Sequence, residues 1–188
     1  MSSSMVEITF FGRGGGQGAV TAAQIIAQAA IRRGLFANSF PEYGAERRGG
    51  APVRAYVRLS RESVLAREPI ERPDISVVFD TRLLSVFNIP QITKNYIVIN
   101  ALSIDDVRQS IGKFSGKVVY VNAYEISTKY LGKPIVNTTM LGALLKVLDL
   151  VDIDTVKELV LETFGKRLGK SNVEALEEAY KVAEVIVL

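Results

Sequence analysis

The sequence predicts an α/β protein: a single domain over residues 1–188, built as a three-layer α/β/α sandwich around a mostly parallel central sheet. Three observations carry this expectation. Four short apolar runs, VEITFF (6–11), DISVVFD (74–80), YIVIN (96–100) and KVVYVNA (117–123), have the continuous hydrophobic character of strands buried on both faces. Apolar residues at helical spacing occupy intervals between and after them. With 188 residues, 48% hydrophobic and 23% charged, the chain is long enough to bury a full core and too apolar for wholesale disorder.

The first run leads directly into a glycine-rich turn, GRGGGQG (12–18), and then into a helical pattern over 19–33. That helix is apolar nearly all round and stops at Gly34, after Arg32 and Arg33 in its last turn. Residues 35–51, LFANSFPEYGAERRGGA, predict a long loop punctuated by Pro41, Gly44, Gly49 and Gly50. PVRAYVRLS (52–60) alternates, with Val53, Ala55 and Val57 on one face and Arg54, Tyr56 and Arg58 on the other. It predicts a half-exposed or edge strand. Residues 60–73 are charged and irregular and predict a second long loop.

Three further helical patterns follow. NTTMLGALLKVL (137–148) offers Asn or Thr caps, then Leu141, Leu144, Leu145 and Leu148 on one stripe. DIDTVKELVLETF aligns Val156, Leu159, Val160 and Phe164. The last segment opens on a capping box, Ser171 and Glu174, and carries Val173, Leu176, Tyr180 and Ala183 at helical spacing.

Composition narrows the chemistry. There is no cysteine, hence no disulfide, thiolate nucleophile or Cys-ligated cluster, and no histidine, hence no Ser–His catalysis or His-based metal site. Net charge is +3, without a dense basic run or interleaved aromatics, so no nucleic-acid partner is expected. No apolar run approaches the roughly 18 residues of a membrane span, and MSSS does not open a secretory signal. The expectation is a cytoplasmic protein with no membrane partner.

The glycine turn between strand one and helix one aims backbone amides and a helix dipole at whatever sits there, which favours an anion. The Walker A pattern fails, because Gly18 is followed by Ala19 and Val20 rather than Lys and Ser or Thr. A relaxed dinucleotide pattern fits Gly14, Gly16 and Ala19, with Glu42 as a distant ribose ligand placed in a loop. The alternative is that the glycines permit a tight turn and a close backbone approach. The second glycine-rich stretch, FPEYGAERRGGAPV (40–53), packs Glu42, Glu46, Arg47 and Arg48 beside Phe40, Tyr43, Gly44, Gly49 and Gly50. Such rigid punctuation with bidentate Arg forks suits a shaped surface that meets a partner or ligand.

GRGGGQGAVTAA, FPEYGAERRGGAPV, PDISVVFD and NTTMLGALLKV, in that order, resemble the gamma subunit of 2-oxoacid:ferredoxin oxidoreductases, shared by the pyruvate, 2-oxoisovalerate and 2-oxoglutarate enzymes. The tail LGKSNVEALEEAY is similar to the family's ending, so the resemblance covers nearly the whole chain. One departure is an extra glycine among Gly14, Gly15 and Gly16, ahead of Gln17 and Gly18. The resemblance implies a subunit that binds no cofactor itself and is inactive alone. Thiamine diphosphate, Mg and Fe–S clusters then belong to partner alpha, beta and delta chains, and ferredoxin accepts the electrons. The complete enzyme would oxidatively decarboxylate a 2-oxoacid, pyruvate first, to acyl-CoA and CO₂. No residue is implied as catalytic. Gly14 to Gly18, Glu42, Tyr43, Gly44, Glu46 to Gly50, Asn137 and Thr138 are candidate ligand or subunit-interface residues, Arg47 and Arg48 being suited to a carboxylate or to CoA phosphates. Two rival readings are an independent Rossmann-like nucleotide-binding domain and a pure assembly scaffold.

Overall fold

The computed structural model describes residues 5–14, 17–43, 51–63 and 66–188. In chain order the elements are β1 (Met5–Arg13), α1 (Ala19–Arg32), β2 (Phe36–Tyr43), β3 (Pro52–Ser60), β4 (Ile75–Val78), α2 (Leu83–Val86) and α3 (Ile89–Ile92). Then follow β5 (Tyr96–Asn100), α4 (Ile104–Ile111), β6 (Lys117–Val121), α5 (Ala123–Leu131), α6 (Asn137–Leu144), α7 (Ile153–Val182) and β7 (Glu184–Val187). The strands form one sheet in the order β2-β3-β1-β4-β5-β6-β7. The four apolar runs β1, β4, β5 and β6 are its parallel centre. β3 runs against β1, β2 against β3, and β7 against β6.

Strand alternation sorts the core into two layers. Ile8, Phe10, Ala55, Val57, Leu59, Val77, Val98 and Val119 face α1, α5, α6 and α7. Phe11, Val78, Ile97, Ile99 and Val118 face Leu83, Leu84, Ile89, Val107 and Ile111 of α2, α3 and α4. Each large side chain so buried stabilises the fold by roughly 1.5–3 kcal/mol. At the α6–α7 crossing the backbones nearly touch: a Cβ on Gly142 would collide with the Leu176 carbonyl and lie 3.1 Å from the Ala179 methyl.

Four expectations are corrected. The predicted loop 35–51 contains β2, because Asn38, Phe40 and Glu42 find cross-strand partners in Arg58, Tyr56 and Arg54 that local sequence cannot reveal. Consequently β3 is an interior strand, not a half-exposed or edge one, and its Tyr56 and Arg58 are buried. The Ser171–Glu174 capping box starts no helix: α7 is broken at Gly165 (φ 71°, ψ 168°), and Ser171 lies within its second half. The buried stripe there runs through Asn172, Ala175, Leu176 and Ala179, leaving Tyr180 exposed. Finally, α6 has Val136 rather than Asn or Thr at its cap, and Asn137 and Thr138 are buried in its first turn.

Candidate functional site

The chain leaves β1 through α1 on one sheet face and leaves β4 through α2 and α3 on the other. Adjacent parallel strands whose connections diverge in this way open a crevice at their carboxyl ends, where ligands of open α/β sheets bind. Arg13 closes β1 at this crevice and Asp80 follows β4, and they form an ion pair at 3.3 Å across it.

Asp80 is the anchor. Its side chain is only 4% exposed, yet it accepts from Arg82 Nε at 2.8 Å, Arg82 Nη2 at 2.6 Å and the Arg82 backbone amide at 3.0 Å. Tyr124, from the first turn of α5, donates its hydroxyl to Asp80 at 3.2 Å. Burial alone would raise the Asp80 carboxyl, but the Arg82 contacts, with Arg13, hold it down to about 2. Burial pushes the Tyr124 phenol up, and the neighbouring Asp80 charge adds to the shift. Asn100 ties the crevice wall together, donating to the Phe79 carbonyl at 3.1 Å and accepting from the Ala123 amide at 2.9 Å. A cleft of about 230 Å³ opens beside these groups, lined by Asp80, Arg82, Asn100, Leu102, Asp106 and Tyr124.

The described flanks of the glycine-rich stretch, Arg13 and Gln17, border the same crevice. Gln17 accepts the Arg13 backbone amide at 2.6 Å and donates to the Tyr124 hydroxyl at 3.2 Å. Gly18 has φ 74°, and a Cβ there would sit 2.6 Å from Asn137 Nδ2, so only glycine fits. Asn137 Oδ1 accepts the Thr138 amide at 2.9 Å, and the Thr138 hydroxyl donates to Asn172 Oδ1 at 2.6 Å. The first and last motifs are thus in direct contact, with Gly18 at the cap of α1, which has no side-chain cap and no acidic residue in its first turn.

The second motif opens at the same end of the sheet. Register places Glu42 opposite Arg54, itself opposite Phe11, and Tyr43 opposite Val53, itself opposite Gly12. Tyr43 is exposed, whereas Glu42 accepts from Arg54 at 2.8 Å and from the Tyr56 hydroxyl. Burial, then the Glu42 hydrogen bond, pushes the Tyr56 phenol upward. Glu42 is therefore engaged, and β3 separates its strand from β1, which removes the support for a ribose ligand. Gly15, Gly16, Gly44, Glu46, Arg47, Arg48, Gly49 and Gly50 lie outside the described residues. Sequence reading missed Arg13, Asp80, Arg82, Asn100 and Tyr124. The polar residue that closes each apolar run, Asp80 and Asn100 among them, was the available signal.

Two outward guanidiniums held by one buried carboxylate suit a phosphate or carboxylate ligand. Among the described residues no group of three or more Asp or Glu is placed to hold a metal ion. A family model described as pyruvate ferredoxin/flavodoxin oxidoreductase matches residues 7–182. The chain belongs to the pyruvate ferredoxin/flavodoxin oxidoreductase family. Within that family it is 41% identical over 187 residues to the pyruvate/ketoisovalerate oxidoreductases common subunit gamma of Thermococcus kodakarensis, covering 98% of this chain and 100% of that one. It is 43% identical over 178 residues to the pyruvate synthase subunit PorC of Methanocaldococcus jannaschii, covering 94% and 96%. The crystal structure of the pyruvate oxidoreductase subunit PORC of Thermotoga maritima superposes with a TM-score of 0.83 at 34% identity, covering 98% and 100%. The gamma resemblance and the α/β sandwich read from the sequence are both upheld, and the chain is a subunit of an oxidoreductase of the pyruvate ferredoxin/flavodoxin oxidoreductase family. Among the described residues no helix is long and apolar enough to cross a membrane.

Proposed function

We propose that the chain acts as one domain, residues 1–188, in a cytoplasmic 2-oxoacid:ferredoxin oxidoreductase, and that its two glycine-rich motifs form a single surface facing the catalytic subunits and CoA. The observation that supports this is the shared register of the two motifs: the ends of β1 and β2 open on the same side, beside Arg13 and Arg82. Guanidinium forks there suit the phosphates of CoA, and Arg47 and Arg48, four and five residues of sequence on from the end of β2, would add two more.

Thiamine diphosphate, Mg and the clusters belong in this reading to alpha, beta and delta chains, with pyruvate as substrate and ferredoxin as acceptor. A chain without cysteine offers no thiolate to a cluster, so no electron-transfer step is assigned to it. The carbon chemistry is supplied by the cofactor, and this chain contributes binding and electrostatics.

Arg47→Ala and Arg48→Ala in the assembled complex test the reading. Ligand contact predicts a KM for CoA raised about tenfold with assembly intact, the scale of one charge-assisted hydrogen bond. Loss of assembly instead assigns the motif to the subunit interface alone.

A further inference from the structure

Four residues, Arg13, Gln17, Tyr124 and Asp80, form a closed ring that includes both flanks of the glycine-rich stretch. Arg13 reaches Asp80 through its guanidinium at 3.3 Å, and its backbone amide donates to Gln17 Oε1 at 2.6 Å. Gln17 Nε2 donates to the Tyr124 hydroxyl at 3.2 Å, and that hydroxyl donates to Asp80 Oδ2 at 3.2 Å. The polarity of this ring is fixed by proton count. Asp80 is a carboxylate and can only accept, so the single phenolic proton of Tyr124 goes to it. The hydroxyl must then accept from Gln17, which turns the amide nitrogen toward Tyr124 and the amide oxygen toward Arg13. Tyr124 itself is held by α5, whose first amide is anchored on Asn100 and whose cap, Asn122, accepts the Glu125 amide at 3.2 Å. Packing alone would be served by a phenylalanine at this half-buried position. The partners of the hydroxyl are Gln17, Asp80 and, at 3.5 Å, the Phe79 carbonyl, all at the crevice.

We propose that Tyr124 is a positioning residue for the glycine turn: its hydroxyl orients the Gln17 amide so that Gln17 clasps the Arg13 amide and fixes the spacing between the two ends of the turn. The importance of that spacing for the enzyme rests on the reading that the turn contributes to a ligand-facing surface. The clamp itself rests only on the ring.

Hydrogen exchange on the full chain tests it. In Tyr124→Phe the Arg13 amide should exchange about tenfold faster, as expected for one lost hydrogen bond, while the central amides of β4, β5 and α1 keep their rates. Gln17→Ala should give the same acceleration, and the double variant no more than either single one, the mark of a coupled pair. An unchanged Arg13 rate, strict additivity, or a uniform acceleration across the sheet overturns the clamp. The KM for CoA of the Tyr124→Phe complex then separates the two ideas. Faster exchange with a raised KM supports both, and faster exchange with an unchanged KM keeps the clamp and removes the CoA reading of the turn. A raised KM with unchanged exchange does the reverse.

Discussion

The Asn137 side chain occupies the space into which a Cβ on Gly18 would project, 2.6 Å from the Asn137 amide nitrogen. Gly18 also has φ 74°, where an L side chain costs about 1–2 kcal/mol. Gly18→Ala should therefore destabilise by roughly 2–3 kcal/mol, strain and overlap together, read as a lower urea midpoint at constant slope. Gly18→Ala combined with Asn137→Ala should recover about 1 kcal/mol, the steric share only. Full recovery would show that the backbone conformation costs nothing.

Asp80 makes stability depend on acid. Its carboxyl titrates at about 2 in the fold against an ordinary value of 3.8. Between these values the unfolded chain binds the proton and the native one does not, so stability falls as pH falls from 4 to 2 and is fully present above that window. The contribution is about 2 kcal/mol. Asp80→Asn should flatten this limb of a thermal-melt series between pH 4 and 2, while lowering stability at pH 7 through the orphaned Arg13 and Arg82. An unaltered acid limb in the variant would sink this assignment.

Thr9, on β1, is buried with no partner for its hydroxyl among the described residues. Thr9→Val keeps the shape and removes an unmet polar group, so it should stabilise by about 1 kcal/mol. A lower melting temperature in calorimetry would show that the hydroxyl has a partner after all.

The parallel centre of the sheet was legible because strands buried on both faces write themselves as apolar runs, and 6–11 or 96–100 needs no partner to be recognised. β2 was not, since FANSFPEY carries Asn, Ser and Pro and alternates against nothing local; its strand character comes from pairing with β3. For the same reason the Arg54-Tyr56-Arg58 face read as solvent-directed, when Glu7, Glu42 and the Ala66 carbonyl stand ready to pair with it. The glycine motifs flank the end of the sheet at which Arg13 and Asp80 pair. What they could not show is the anchor beneath them, because Asp80 and Tyr124 stand 44 residues apart and meet Arg13 only through the topology.

Arg58 supplies the last test. Its guanidinium is 5% exposed and pairs with Glu7 at 3.0 Å, while Lys94 approaches Glu7 at 3.5 Å and Asp74 at 3.3 Å. A buried ion pair is costly to break from one side, because the remaining charge keeps its desolvation penalty without its partner. Glu7→Ala should therefore destabilise by about 3 kcal/mol, whereas replacing both partners, Glu7→Leu with Arg58→Met, should cost less than about 1 kcal/mol. Denaturant melts of the two variants decide the matter. If the double replacement is as damaging as the single one, the pair contributes net stability to the fold, and the Arg58 cation facing the Phe40 ring at 5.9 Å would be the first contact to examine.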